Sequence, residues 1–227
     1  VPVLSLRLGF PDESNYGEDT STRQAYELLG EGFGEGFNGP LYLVAVVPEG
    51  VGVDAMAAFN GPINADAEVA QLLGPQPSED GSAVRWLLYP EHGPQDEETA
   101  DLVSRLRSDV LPPVEESLGA RVDITGLVAG NLDFAELLAE RIPLFFTAVL
   151  ALSFLFLMVV FRSLLVPLKA VVMNMLSIGA AYGVIVALFQ WGWLSDITGV
   201  QPGPIDAWVP MMLSKIKPQC MLRLERK

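Results

Sequence analysis

Cysteine is nearly absent from this sequence of 227 residues: Cys220 stands alone, so no disulfide can form within the chain and a C-x-x-C zinc or redox site is excluded. Histidine is as scarce. His92 is the one imidazole, which leaves a zinc site built from this chain alone short of ligands. Basic charge is also in short supply, since 14 Lys and Arg face 28 Asp and Glu for a formal net charge of −14. That balance excludes a basic nucleic-acid-binding surface, and no nucleic-acid partner is expected. Lysine is missing altogether from residues 1–141, which hold seven Arg and 25 acids, or −18, whereas residues 142–227 hold seven bases and three acids, or +4. The two parts are suited to different surroundings. A hydrophobic content of 50% excludes intrinsic disorder. No initiator Met and no signal peptide opens the sequence, and a part of something larger is expected.

Charge is missing from two further places, and these decide the class. Residues 142–161 (IPLFFTAVLALSFLFLMVVF) are 20 without a charge, and residues 170–193 (AVVMNMLSIGAAYGVIVALFQWGW) are 24. About 20 apolar residues cover a hydrocarbon core of ~30 Å, so two transmembrane helices are predicted. Two buried helices of a soluble protein are the alternative, but about 86 residues are too few to wrap helices apolar all round. The turn between them, residues 162–169, has only the basic charges Arg162 and Lys169, which places it on the cytoplasmic side and residues 1–141 outside. Trp191, Trp193 and Trp208 then fall near the outer interface. Pro143 is expected in the first turn of its helix, and residues 1–3 at the outer end of a preceding span.

In the second span, Ser177, Gly179 and Gly183 are the candidate helix-packing residues, with Gly179 and Gly183 forming a small-x-x-x-small pair that lets a partner helix approach. Asn174 and Tyr182 are its polar groups, suited to hydrogen-bonding a neighbouring helix. Neither span contains a carboxylate, an imidazole or a basic side chain, so no proton-relay site is expected in this chain.

The first 141 residues read as a small mixed sheet covered by helices, an α+β domain. Strands are predicted at 41–47 (LYLVAVV), 83–89 (AVRWLLY) and 121–125 (RVDIT), and short helical pieces at 56–59 and 67–73. A capped helix with Ala25, Leu28 and Leu29 on one face is expected from Ser21, and another opened by Pro94, with Asp96, Glu97 and Glu98 in its first turn and Leu102, Leu106 and Val110 every four residues. Helical pattern at 132–140 runs directly into the first span.

The motifs that could carry chemistry resolve into structure. The run at 30–40 (GEGFGEGFNGP) lacks the Lys-Ser or Lys-Thr of a phosphate loop, and Glu31 and Glu35 would repel an anion, so it reads as a helix exit and turn. The acids at 96–98 suit a helix N-terminus better than a metal. His92 would be the only base for a hydrolase, yet no G-x-S-x-G nucleophile accompanies it. No catalytic residue, cofactor or metal is expected.

Taken together, FRSLLVPLKA at 161–170, NMLS at 174–177 and AAYGV at 180–184 resemble the MMPL branch of the resistance-nodulation-division transporters. So do RQAYELL at 23–29, GFGEGFNGPL at 32–41 and GPQD at 93–96. The resemblance runs from about Arg7 to Met212. It implies two repeats, each with an extracytoplasmic porter-like domain among membrane helices, of which this chain would supply the second such domain and the next two helices. It also implies export of lipids or other hydrophobic molecules driven by proton motive force. Residues 204–213 look like the entrance to the next helix, where the family continues to an Asp-Tyr proton relay. Here a basic tail, residues 214–227 at +4, follows instead, as an altered reading frame or truncated gene would produce.

The expected organisation is therefore an extracytoplasmic α+β domain at 1–141, membrane helices at 142–161 and 170–193, an outer loop and aborted helix start at 194–213, and the tail at 214–227. Its setting is a bacterial inner membrane, its partners the bilayer, the remaining transporter helices and a lipid or hydrophobic substrate, and it is expected to be inactive alone. The alternative is a membrane-tethered extracytoplasmic binding domain without transport.

Overall fold

A computed structural model of the chain describes residues 8–193, 203 and 205–206. The readings for residues 1–3, Trp208 and the tail, and most of those for 194–213, lie outside the described residues. Contacts divide the chain into Asp12–Asp133 and a second unit made of Val1–Pro11 and Phe134–Lys227. The described chain opens with the two-residue strand β1 (Leu8–Gly9), part of the second unit.

In the first unit, β2 (Leu41–Val46), β3 (Val69–Pro77), β4 (Ala83–Pro90) and β5 (Val122–Thr125) form one sheet in the order β3-β4-β2-β5. Every neighbouring pair is antiparallel, which corrects the expected mixed sheet. The turn between β3 and β4 is tight, with Asp80 accepting from the Ser78 hydroxyl at 2.7 Å and the Ser82 N–H at 3.1 Å, and so short a connection allows only antiparallel neighbours. β3 occupies residues read as partly helical at 67–73. Its pattern is irregular and it contains Pro75 and Pro77, features an edge strand tolerates, and pairing with β4 overrides the local pattern.

Alternation along the strands builds the core. Leu41, Leu43 and Ala45 of β2 are buried beside Val84, Trp86 and Leu88 of β4 and Val122 and Ile124 of β5, in a register that pairs Leu43 with both Trp86 and Ile124. A 3-10 segment (Val53–Phe59) and α2 (Asn60–Asn64) contribute Met56, Phe59 and Ile63. α3 (Glu97–Arg105) contributes Leu102 and Val103, and the π turn Leu106–Val110 leads into α4 (Pro112–Leu118). Trp86 meets Phe59 edge-on at 5.7 Å, and its indole N–H donates to Asn60 Oδ1 at 2.8 Å. α3 starts at Glu97 rather than Pro94 because the Asp96 carboxylate turns back to accept the Gly93 N–H at 2.8 Å, which keeps residues 93–96 in a turn.

α1 (Ser21–Phe33) is capped by the Thr20 hydroxyl and buries none of its residues, so Leu28, Leu29 and Phe33 remain exposed. The glycine-rich run then performs the expected exit and turn. Gly34 ends the helix at φ 97°, a left-handed value that favours glycine, and a Cβ on Gly36 would lie 1.9 Å from the Pro90 carbonyl oxygen.

In the second unit, β1 pairs in parallel with β6 (Ile205–Asp206). Two helices dominate: α5 (Leu127–Phe161), whose residues up to Asp133 belong to the first unit, and α6 (Leu165–Ile185), the latter prolonged by the π turn Val186–Gln190. α5 is continuous through 132–161, so Pro143 lies inside it and not in a first turn. Its ring removes one hydrogen bond from a helix already running from Leu127. The connection is also tighter than the 162–169 turn expected: it comprises Arg162 at φ 49°, Ser163 and Leu164, and Lys169 belongs to α6. Pro167 fits the first turn of α6, so the helix starts before the lysine, whose long stem can carry its charge toward the interface.

Candidate functional site

α5 and α6 present apolar side chains outward on all sides. Leu144, Leu152, Phe156 and Val159 on α5 and Val172, Met175 and Leu176 on α6 are exposed, and in the most hydrophobic window of α5 no residue is buried. A surface of this kind fits hydrocarbon and not water. Gly179 and Gly183 sit one turn apart, and a Cβ built on either meets nothing within 4 Å, so both face open space. At 3.6 residues per turn Ser177 falls roughly 200° round from Gly179, on a different face. Asn174 is exposed and Tyr182 is buried. The end of the second helix packs inward through Val186 and Ala187, where the Gly203 N–H donates to the Phe189 carbonyl at 3.2 Å, and Trp191 lies 6.0 Å from Trp193.

Open grooves mark the surface of the first unit. One, of about 560 Å³, runs beside α1 and is lined by Ala25, Tyr26, Leu29, Asn38 and Glu13, among others. Asn38 holds it in shape by donating to the Tyr26 carbonyl at 3.0 Å. Burial, and then the Asp12 carboxylate 3.4 Å from its hydroxyl, hold the Tyr26 phenol well above its ordinary pKa, so it stays a neutral donor. The second groove, about 460 Å³, follows the outer edge of β5. There Glu115 accepts the Val122 N–H at 2.6 Å, and Arg107 donates to the Ile124 carbonyl at 3.3 Å while pairing with Asp133. These side chains occupy backbone groups that an added strand would need. Sequence reasoning missed both grooves, because nothing local links Asp12 to Tyr26 or Arg107 to Asp133.

His92 is paired with a carboxylate: its Nδ1 lies 2.6 Å from Glu68 Oε2, and the hydrogen bond it donates to Glu68 raises its pKa. Thr99, buried below, donates to the His92 and Gly93 carbonyls and not to the imidazole. Arg105 pairs with Asp66, and the guanidinium holds the Asp66 carboxyl below its ordinary value. Among the described residues no three His, Cys, Asp or Glu side chains gather as a metal site.

Known proteins bring the two units together. The MMPL family profile matches residues 51–200. Membrane protein YdfJ of Bacillus subtilis is 37% identical over 215 residues, covering 93% of this chain and 29% of the relative. The mycolic acid-containing lipids exporter MmpL11 of Mycolicibacterium smegmatis is 25% identical over 220 residues, covering 94% and 23%. The heme uptake protein MmpL11 of Mycobacterium tuberculosis is 29% identical over 219 residues, covering 94% and 22%. The chain thus spans less than a third of the length of these relatives. An α+β unit, two helices fit for the membrane and a matched profile across both make this chain a member of the MMPL family of membrane proteins.

Proposed function

We propose that this chain is part of a transporter that exports lipids or other hydrophobic molecules across a bacterial inner membrane, with residues 1–141 extracytoplasmic and α5 and α6 crossing the bilayer. The observation that carries this reading is an acidic α+β unit in one chain with two long helices whose spans bear no charge. Proton motive force supplies the energy in the complete transporter. This chain does not pump by itself, because coupling to protons needs a titratable group in the membrane and neither 142–161 nor 170–193 contains a carboxylate, imidazole or basic side chain. It performs no catalysis, and His92 serves as a structural partner of Glu68.

Reconstituted alone in vesicles, the chain should move no lipid or dye when a proton gradient is imposed; gradient-dependent transport would refute the reading. In cells it should copurify with a chain that bears further membrane helices. A tethered binding domain without transport is the second reading, favoured by the open groove beside α1. Recovery of the chain free of any such partner, with a lipid bound, would select it.

A further inference from the structure

Glycines apart, Arg162 is the one described residue whose backbone lies in the left-handed region, at φ 49°. A chain that turns sharply after a helix needs such a residue, and glycine fills the position without strain, as Gly119 does after α4 at φ 63°. A Cβ there crowds the following carbonyl oxygen, so an arginine at the end of α5 is held at a cost. Strain of this kind at a turn points to function. Lys169 is out of place for a different reason. α6 begins at Leu165, so at ~1.5 Å per residue the Lys169 Cα stands ~6 Å along a helix whose exposed neighbours, Leu165, Val166, Leu168 and Val172, suit hydrocarbon.

Helix geometry brings the two cations to one depth. Side chains on a helix tilt toward its N-terminus, which for α6 is the turn, so the four-carbon stem of Lys169 returns its ammonium toward the level of Arg162. The connection of Arg162, Ser163 and Leu164 leaves only four Cα steps between the helix ends, or ~14 Å at full stretch. Phe161, Leu164, Leu165 and Leu168 expose apolar side chains around it. No ion pair among the described residues includes either cation, and the sequence from Arg141 to Ser195 contains no acid. The counter-ion must therefore come from outside this stretch. Two cations at one depth, ringed by apolar side chains, fit an anion that carries its own acyl chains. A guanidinium takes two phosphate oxygens at once, and an ammonium adds a point charge.

We propose that Arg162 and Lys169 hold the phosphate of an anionic phospholipid, whose acyl chains lie along Leu164, Leu165 and Leu168. Orientation in the membrane alone requires basic charge in the turn, not an arginine in a left-handed backbone. The inference rests on the topology proposed above only for the leaflet concerned, the cytoplasmic one, whose surface is negative.

The test titrates the full chain in detergent micelles with dioleoyl phosphatidylglycerol or dioleoyl phosphatidylcholine and counts bound lipid by native mass spectrometry, a readout blind to topology and to transport. Occupancy by phosphatidylglycerol should exceed that by phosphatidylcholine about thirty-fold, the product of about five-fold from each cation. Arg162→Gly and Lys169→Gln should each lower that preference to about five-fold, and the two together should abolish it. Glycine suits φ 49°, so Arg162→Gly should keep or raise the unfolding temperature without lipid, while losing most of the rise that phosphatidylglycerol gives the unaltered chain. Arg141→Gln, at the other end of the first span, should leave the preference unchanged. Glycerol phosphate, a headgroup without acyl chains, should not displace the lipid. Equal occupancy by the two lipids would overturn the proposal, as would a preference that survives the paired substitutions or falls as far with Arg141→Gln. Displacement by glycerol phosphate would overturn it in favour of a soluble phosphate ligand.

Discussion

Leu28 of α1 and Leu152 of α5 have nearly the same fractional exposure, 68% and 71%, and yet they belong to different physical problems. Leu28 stands in a helix that also carries Glu27 and Glu31, in a unit whose strand β2 alternates buried with exposed residues. Leu152 stands in a helix with no charge for 20 residues, where neighbours on every side are equally apolar and equally exposed. Exposure alone therefore says nothing about solvent. The pattern of charge around the residue does, and it assigns water to the first unit and hydrocarbon to the helices.

The contrast can be broken most severely at the core of the first unit. Trp86→Ala removes a fully buried ring from Phe59 and strips Asn60 of its indole partner, and large aromatic truncations of this kind cost ~3–5 kcal/mol. Denaturant unfolding of the detergent-solubilised chain, followed by far-UV circular dichroism, should show the loss. Phe156→Ala on the exposed surface of α5 should leave the same transition nearly unmoved. Equal effects would mean that α5 also has a packed core.

Charge sharpens the comparison next. Leu152→Lys places an ammonium near mid-span at a cost of roughly 2.5–3.5 kcal/mol on insertion scales, so the membrane-integrated fraction in a translocon assay should fall sharply. Leu28→Lys, at equal exposure, should change stability by no more than about 0.5 kcal/mol. Gly36→Ala tests the turn after α1, because the added methyl collides with the Pro90 carbonyl; overpacking of this sort costs ~1–3 kcal/mol and should lower the unfolding midpoint of the first unit.

The smallest expected effect comes from pH. The hydrogen bond that His92 donates to Glu68 raises the His92 pKa in the folded chain above its ordinary 6.5. A raised value means stabilisation that is fully present below the unfolded pKa and is lost as pH rises through the folded one. Stability should therefore decline slightly as pH is increased from 6.5 upward, and His92→Gln should flatten that decline. An unchanged slope in the variant would show that the Glu68 pairing contributes nothing.

Reading the sequence succeeded where one local signal sufficed. The uncharged runs at 142–161 and 170–193 announce themselves by length, and a near-continuous apolar run at 41–47 marks β2. It failed where distant partners decide. β3 carries prolines and an irregular pattern, and becomes a strand because β4 offers it an edge. Pro143 suits the first turn of a helix, where a missing N–H costs little, whereas the helix that holds it begins at Leu127. The groove at Tyr26 and the pairing of Arg85 with Gln76 depend on burial and on register, which no single segment encodes.

The proposed topology puts the bilayer between the first unit and the turn at Arg162. With Cys220→Ser as background, Ser82→Cys in the β3–β4 turn and Ser163→Cys in the turn between α5 and α6 can be treated on intact cells with a membrane-impermeant maleimide. Labelling at position 82 and protection at 163 until the cells are lysed is the expected result; labelling at 163 with protection at 82 would contradict the topology outright.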